Sequence, residues 1–196
     1  MESQSKEKLI KRIDGLEKFN KKVLEKIDEY DRKTYKKELT QYIRNYGKEN
    51  MNCITDENCL SCLKYPTYGV IILLKKLYFN QKYPENSNIT IDELDVSILH
   101  IFRNGTWYPT KVNDDIIYRL VTKVYNIYLL NYEKERETMT EERRVNFENF
   151  QKRYLTKDDN FMSFYRDEIP SMFYIEKRND RECENDFVKI LNEINT

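Results

Sequence analysis

Three cysteines in the first half of the chain have the residue type and spacing of a metal site. Cys59 and Cys62 form a C-x-x-C pair, and Cys53 precedes them closely. Two thiolates at this spacing can bind one zinc ion, which takes four ligands in a tetrahedral site. Cys183 or the single histidine, His100, could supply the missing ligand through the fold. Zinc is therefore a candidate cofactor, and the alternative is a set of reduced, buried thiols.

Residues for acid–base or nucleophilic catalysis are sparse. A Cys-His or Ser-His-Asp centre would need His100, which lies in an apolar strand pattern typical of a core position. Asp92, Glu93 and Asp95 lie between two predicted strands, where solvated turn residues are expected. The sequence has no Walker-A, dinucleotide-binding, kinase or HExxH motif. We therefore expect a protein without catalytic activity.

Basic and aromatic residues are interleaved between residues 143 and 154. Such a surface can bind phosphates and stack bases, which makes nucleic acid a candidate ligand. Glu141, Glu142 and Glu148 offset the positive charge, so a solvated amphipathic helix is the other interpretation. The candidate nucleic-acid residues are Arg143, Arg144, Lys152, Arg153 and Tyr154.

The composition favours a folded and mainly helical protein. Its 196 residues include 34 Lys+Arg and 34 Asp+Glu, so no net positive charge attracts nucleic acid or an anionic membrane. The 16 Tyr and 9 Phe supply core material, and the 4 Gly and 4 Pro rarely interrupt the backbone. No run approaches the roughly 20 apolar residues of a membrane span. We expect a location inside the cell, with no membrane partner and no secretion.

Residues 6–34 carry a heptad pattern, with mostly apolar residues at the two seam positions and mostly charged residues between them. So narrow a stripe buries little area by itself, and a second copy of the helix would cover it. Asn20 lies at an a-type position, where a buried amide can favour a parallel homodimer. The alternative is that this helix folds back onto its own domain. The predicted dimerisation residues are Leu9, Ile13, Leu16, Asn20, Val23, Ile27 and Tyr30.

The following elements are predicted from periodicity and turn residues. A second helical stripe includes Tyr42 and Tyr46 and ends at Gly47, a typical C-cap residue. Residues 49–67 are rich in polar residues and resemble a loop, whereas residues 69–79 form an apolar helix at the centre of the core.

A small β-structure is predicted next, with one strand at 89–91 and another over 96–102. Asn104-Gly105 favours a type I′ hairpin turn, so Trp107 should start the return strand and pack against its cross-strand partner. Asn113 then begins a second core helix.

The predicted fold class is α+β, mainly α, in three regions. An N-terminal amphipathic or coiled-coil helix spans 1–48. A helix-hairpin-helix core domain with the cysteine loop spans 49–135. A C-terminal helical extension that packs on the core spans 136–196.

Three motifs carry a resemblance to a known family. They are Leu77-Tyr78-Phe79-Asn80, Pro84-Glu85-Asn86-Ser87-Asn88 and Asn104-Gly105-Thr106-Trp107. Their order over residues 67–130 resembles the C-terminal domain of uncharacterised zinc-finger and coiled-coil proteins of nucleocytoplasmic large DNA viruses, such as mimiviruses and iridoviruses. Family members often have histidines where this chain has Tyr78 and Ser87. The family's leading zinc finger is also missing here, so neither a His-containing metal site nor DNA contact is carried over.

The resemblance implies an origin and a layout rather than a mechanism. With the heptads, it predicts a viral interaction or regulatory protein that self-associates and binds a protein partner. The alternatives are a nucleic-acid-binding factor of viral transcription or replication and a structural component of the virion. The implied location is the cytoplasm or viral factory of an infected host, or the virion.

Overall fold

The computed structural model describes residues 42–194 and, before them, Lys18, Lys21, Lys22 and Lys26, with side chains described as far as Asn179. The chain forms two compact units, Met1–Tyr42 and Ile43–Thr196. In the first unit the four lysines are helical and exposed. The predicted dimerisation residues lie outside the described residues, so the coiled coil stays a prediction.

The second unit is mainly helical and contains one small antiparallel sheet. Its helices are α1 (Asp56–Cys62), α2 (Pro66–Tyr78), α3 (Asp114–Glu135), α4 (Glu141–Leu155) and α5 (Asp159–Ile194). Short 3-10 helices occupy Met51–Cys53 and Pro84–Asn86. The strands, in sheet order, are β1 (Ile89–Ile91), β2 (Ile98–Arg103) and β3 (Thr106–Lys111). The mainly α fold with a small antiparallel hairpin is therefore confirmed, and β1 pairs with the hairpin as a third strand.

None of the helices described within residues 42–194 is both long enough and apolar enough to cross a bilayer.

The β2–β3 hairpin turns at Asn104 and Gly105, which have φ angles of 49° and 79°. Positive φ at both central residues is the type I′ geometry expected from the Asn-Gly dipeptide. Phe102 pairs with Trp107 across the strands, and their ring centroids are 5.2 Å apart. The turn and the cross-strand contact of Trp107 are thus confirmed.

Strand β3 forms one edge of the sheet, and Pro109 lies within it. Arg103 and Thr106 flank the two-residue turn, so they form a hydrogen-bonded pair and every second pair along the ladder does the same. Pro109 pairs with His100 in a position between those bonded pairs, where the backbone of β3 faces away from β2. A proline is accommodated there because its missing N–H would have pointed to the open edge.

Helices α2 and α3 supply the centre of the core. Asn113 Oδ1 accepts the backbone N–H of Ile116 at 3.1 Å and caps the start of α3. Leu99 and Ile101 of β2 close one side of this core, and α4 and α5 add aromatic rings. The fully buried side chains include Leu73, Leu74, Leu77, Ile117, Leu120, Val121, Val124, Phe147, Phe161 and Phe173.

Gly69 of α2 is tightly packed against side chains of α1 and α3. A Cβ atom at this position would lie 2.2 Å from Tyr128 Oη and 2.7 Å from the Cβ atom of Cys62. The Tyr128 hydroxyl donates to the Pro66 carbonyl at 3.3 Å and is held in place. Only a residue without a side chain fits between these neighbours.

Two local predictions are wrong. Residues 43–50 are not helical, so the helical stripe does not continue through Tyr46. Part of the predicted loop over 49–67 forms α1, whose first turn is capped by Thr55 Oγ1 accepting the N–H of Asn58 at 3.2 Å. A polar composition concealed α1, because only one side of this short helix contacts the core.

Candidate functional site

Cys53, Cys59 and Cys62, three of the predicted zinc ligands, are buried free thiols. Cys53 Sγ donates to the Asn50 carbonyl at 3.2 Å and contacts Asn86 Nδ2 at 3.6 Å. Burial raises the pKa of Cys59 to about 12 and also raises the pKa of Cys62. These thiols are therefore protonated at neutral pH and packed as small apolar groups.

The described residues offer no group of three or more His, Cys, Asp or Glu side chains arranged to hold a metal ion. The side chain of Cys183 lies outside the described residues, so its part in a zinc site stays a prediction. His100, the other candidate ligand, lies on β2 with its side chain away from the core. Its Nε2 is 3.1 Å from Asp92 Oδ2, and the imidazole is about a third exposed rather than enclosed in the core as predicted.

The basic residues predicted to contact nucleic acid lie on α4 and do not share one face. At 100° per residue, Arg144 and Arg153 project from opposite sides of the helix, as do Arg143 and Lys152. Tyr154 is buried, and its ring stacks between those of Tyr118 and Tyr125. Because of this stacking, the Tyr154 ring has no free face for a base. Its hydroxyl also lies 2.9 Å from Thr122 Oγ1.

A buried polar cluster was not anticipated from the sequence. Glu49 is its centre: Oε2 lies 2.7 Å from Lys123 Nζ, and Oε1 accepts from Tyr78 Oη at 3.3 Å, Asn88 Nδ2 at 3.2 Å and the N–H of Gly47 at 3.0 Å. The Glu49 and Lys123 side chains are 3% and 17% exposed. Such a pair is removed from water and needs its hydrogen bonds to remain stable.

The Lys123 ammonium group contacts three side chains. Besides Glu49, its Nζ donates to Tyr78 Oη at 2.9 Å and lies 4.6 Å from the centroid of the Tyr46 ring. These three contacts use the capacity of the ammonium group. The arrangement suits a structural tie better than a catalytic lysine, which needs a free proton position.

The charges of this cluster are fixed by its surroundings. Burial raises the pKa of the Glu49 carboxyl, but the Lys123 charge and the hydrogen bonds from Lys123 and Gly47 outweigh it and hold the pKa below its usual value. Burial and the Glu49 charge raise the pKa of Tyr46 to about 12. Glu49 is consequently ionised and Tyr46 neutral near pH 7.

Further hydrogen bonds, outside the Glu49–Lys123 cluster, hold residues 43–50 onto the core. The backbone N–H of Arg44 donates to the Glu85 carbonyl at 2.8 Å, and that of Tyr46 donates to the Phe102 carbonyl at 2.9 Å. The buried Asn86 side chain exchanges two bonds with the Asn50 backbone, at 2.6 and 2.8 Å. These contacts give the Pro-Glu-Asn-Ser-Asn loop an architectural role.

An open groove of about 460 Å³ runs between the sheet, the start of α3 and the first half of α5, and Val96, Val112 and Pro170 line it. Arg166 projects into it, but its guanidinium forms two bonds with Asp114, at 2.5 and 3.1 Å. This ion pair neutralises the charge that an anionic ligand would need.

The exposed side of α2 carries the surface with the strongest signs of interaction. Tyr65, just before the helix, and Tyr68 and Ile72 within it are 62%, 64% and 48% exposed. Their spacing of three and four residues aligns them in one row, which we call the tyrosine stripe. The opposite side of α2 lies in the core, so this helix has apolar residues on both sides.

The tyrosine stripe continues onto the neighbouring helices. The Tyr68 ring packs edge-on against Phe164 of α5, with centroids 5.2 Å apart. Ile175 of α5 is 54% exposed, and its neighbour Glu176 pairs with Lys75 at 2.6 Å near one end of the row. At the other end, Asn146 Nδ2 of α4 donates to the Lys64 carbonyl at 2.7 Å.

Neither feature could be located from the sequence alone. Glu49, Tyr78 and Lys123 are far apart in the chain and meet only in the folded protein. The one available signal was Lys123, a charge between Leu120 and Val124 on the apolar side of a predicted helix. For the stripe, the signal was an apolar run in α2 too wide for one buried face.

Comparison with known proteins gave no match of this chain to a protein-family model, to a curated protein or to a solved structure.

Proposed function

We propose that this protein is a non-enzymatic interaction protein, which self-associates through its N-terminal heptad segment and binds a protein partner through the tyrosine stripe. The observation that supports partner binding is the exposure of Tyr65, Tyr68 and Ile72 in one row on a helix of the core. Tyrosine is enriched at interfaces because its ring buries a large apolar area while its hydroxyl remains hydrogen-bonded.

Partner binding is tested by capture from cells that produce the protein. The full chain is compared with a variant carrying Tyr65→Ser, Tyr68→Ser and Ile72→Ser. We expect a partner to be captured by the original chain and lost with the triple variant. Tyr108→Ser, which changes a tyrosine 48% exposed on β3, is the matched control. Equal capture by all three proteins would argue against the stripe as the interface.

Self-association is supported by the heptads over residues 6–34 and by Asn20 at their seam. Light scattering on the full chain should give the mass of a dimer. Substituting two seam residues, Leu16→Glu and Val23→Glu, should give a monomer, whereas Lys22→Glu should leave the dimer intact. A monomeric full chain would refute this part of the proposal.

A further inference from the structure

We propose that the partner segment bound by the tyrosine stripe is an acidic amphipathic helix. This inference rests on the proposed function and specifies the chemistry of the partner. It is drawn from the charge around the stripe, from its shape and from the kind of side chains that flank it.

The charge that α2 and the residue before Tyr65 contribute along the stripe is positive. Helix α2 has no carboxylate between Pro66 and Tyr78, and its charged residues are Lys75 and Lys76. Lys64 lies at the other end of the row, with its Nζ 5.5 Å from the centroid of the Tyr65 ring. Lys75 pairs with Glu176, whereas neither Lys64 nor Lys76 forms a salt bridge with another described residue. Two lysines are therefore available, one at each end of the row, and they favour a partner with carboxylates.

The shape of the stripe fits a helix. At 1.5 Å per residue, the row from Lys64 to Lys76 is about 18 Å long, which is the length of about three helical turns. The exposed side of α2 offers side chains only, because its backbone groups bond within the helix. An extended partner strand would find no backbone donors or acceptors there, whereas a helix with apolar residues three and four apart could pack along the row.

The flanking side chains favour protein over nucleic acid. Ile72 within the stripe and Ile175 beside it are exposed aliphatic groups, which can pack against leucine but provide no ring on which a base can stack. A single-stranded nucleic acid is therefore the competing ligand that the experiment must separate from an acidic helix.

The test is a selection of random 16-residue peptides displayed on phage against the immobilised full chain. We expect enriched peptides with a negative net charge and apolar residues at positions i, i+3 or i+4, and i+7. Binding of the best labelled peptide is then measured by fluorescence anisotropy. Its affinity should fall at least about tenfold for the variant with Tyr65→Ser, Tyr68→Ser and Ile72→Ser, a loss of about 1.4 kcal/mol.

A second variant, Lys64→Glu with Lys76→Glu, tests the charge independently of the apolar row. Affinity for the acidic peptide should fall at least about tenfold, and the affinity of the original chain should decrease with added salt. Because the three residues changed in the first variant and the two changed in the second are exposed, circular dichroism of each variant should match the original.

The outcomes separate the two proposals. Enriched peptides that are basic or lack the apolar spacing, yet depend on Tyr68, would overturn the acidic helix and leave the stripe as an interface. A 20-nucleotide oligouridine that binds at the same residues more tightly than the best peptide would also overturn the acidic helix and leave the stripe as an interface. Equal binding to the original chain and to the stripe variant, or no enrichment at all, would overturn both.

Discussion

The Nζ atom of Lys123 lies 2.7 Å from Oε2 of Glu49, and this ion pair joins α3 to the segment 43–50. The two residues come from parts of the chain with no local relationship. Their pairing is enclosed by Tyr78 and Tyr46, which provide a hydrogen bond and a ring face for the lysine. The free energy of unfolding should therefore depend more on this buried ion pair than on an ion pair at the protein surface.

The first prediction concerns Glu49→Ala. This change leaves Lys123 without its counter-ion in a buried site, so the free energy of unfolding should fall by about 3–5 kcal/mol. Urea denaturation followed by circular dichroism measures it. Lys134→Ala is the control, because Lys134 and Asp56 form a pair whose side chains are 59% and 60% exposed. Its effect should stay below about 1 kcal/mol, and equal losses for both variants would contradict the structural tie.

The second prediction concerns acid. The pKa of Glu49 is lower in the folded protein than its ordinary value of 4.5, so its ionised form stabilises the fold above that pH. The contribution is lost as pH falls through the folded pKa, because the protonated carboxyl no longer attracts Lys123. Between about pH 6 and about pH 3, the original chain should lose more stability than Glu49→Gln. The carboxyls of Asp92 and Asp158 also have lowered pKa values, but they are present in both proteins and cancel. Parallel curves would show that Glu49 has no such linkage.

A third prediction follows from the position of Pro109. Pro109→Val would add an N–H pointing away from β2 at the open edge of β3. We expect more self-association, measured by light scattering over a range of concentrations. Thr110→Val changes the neighbouring residue, whose backbone faces β2, and should leave association unchanged. If both variants behave alike, Pro109 does not protect this edge.

Gly69 provides a fourth prediction. Gly69→Ala places a methyl group against Tyr128 Oη and Cys62, so overpacking should cost about 1–3 kcal/mol of unfolding free energy. Tyr128→Phe removes the hydroxyl that lies closest. Gly69→Ala should then be less harmful in the Tyr128→Phe background, which a double-mutant cycle in urea would measure. Additive effects would mean that the hydroxyl does not set the limit.

Local sequence signals predicted the parts of the fold that depend on near neighbours. Asn104-Gly105 fixed the turn because the required φ angles are costly for other residues. Asn113 marked the start of α3, since its side chain caps a backbone N–H three residues ahead. The central helix, α2, was predicted from its apolar residues with only its first turn missing.

Contacts between residues far apart in the chain determine the conformation around Tyr46 and the environment of Tyr154, which the local sequence pattern did not predict. Tyr46 continues a helical spacing, but it lies in a turn of the non-helical segment 43–50, where its N–H bonds the Phe102 carbonyl and its ring covers Lys123. Tyr154 has an aromatic ring of the kind that can stack on a base, yet the neighbouring rings of Tyr118 and Tyr125 enclose it. In both cases a tertiary partner outweighed the local pattern.

The anchoring of residues 43–50 also determines how the second unit would respond to mechanical load. A pull applied from the N-terminal side reaches Arg44 first, then Tyr46 and Asn50, whose bonds lead to two separate sites, the 84–88 loop and the end of β2. Under such a pull these attachments would break one after another, from Arg44 towards Asn50, before the load reached the helices. Residues 43–50 would therefore be the first part of this unit to detach.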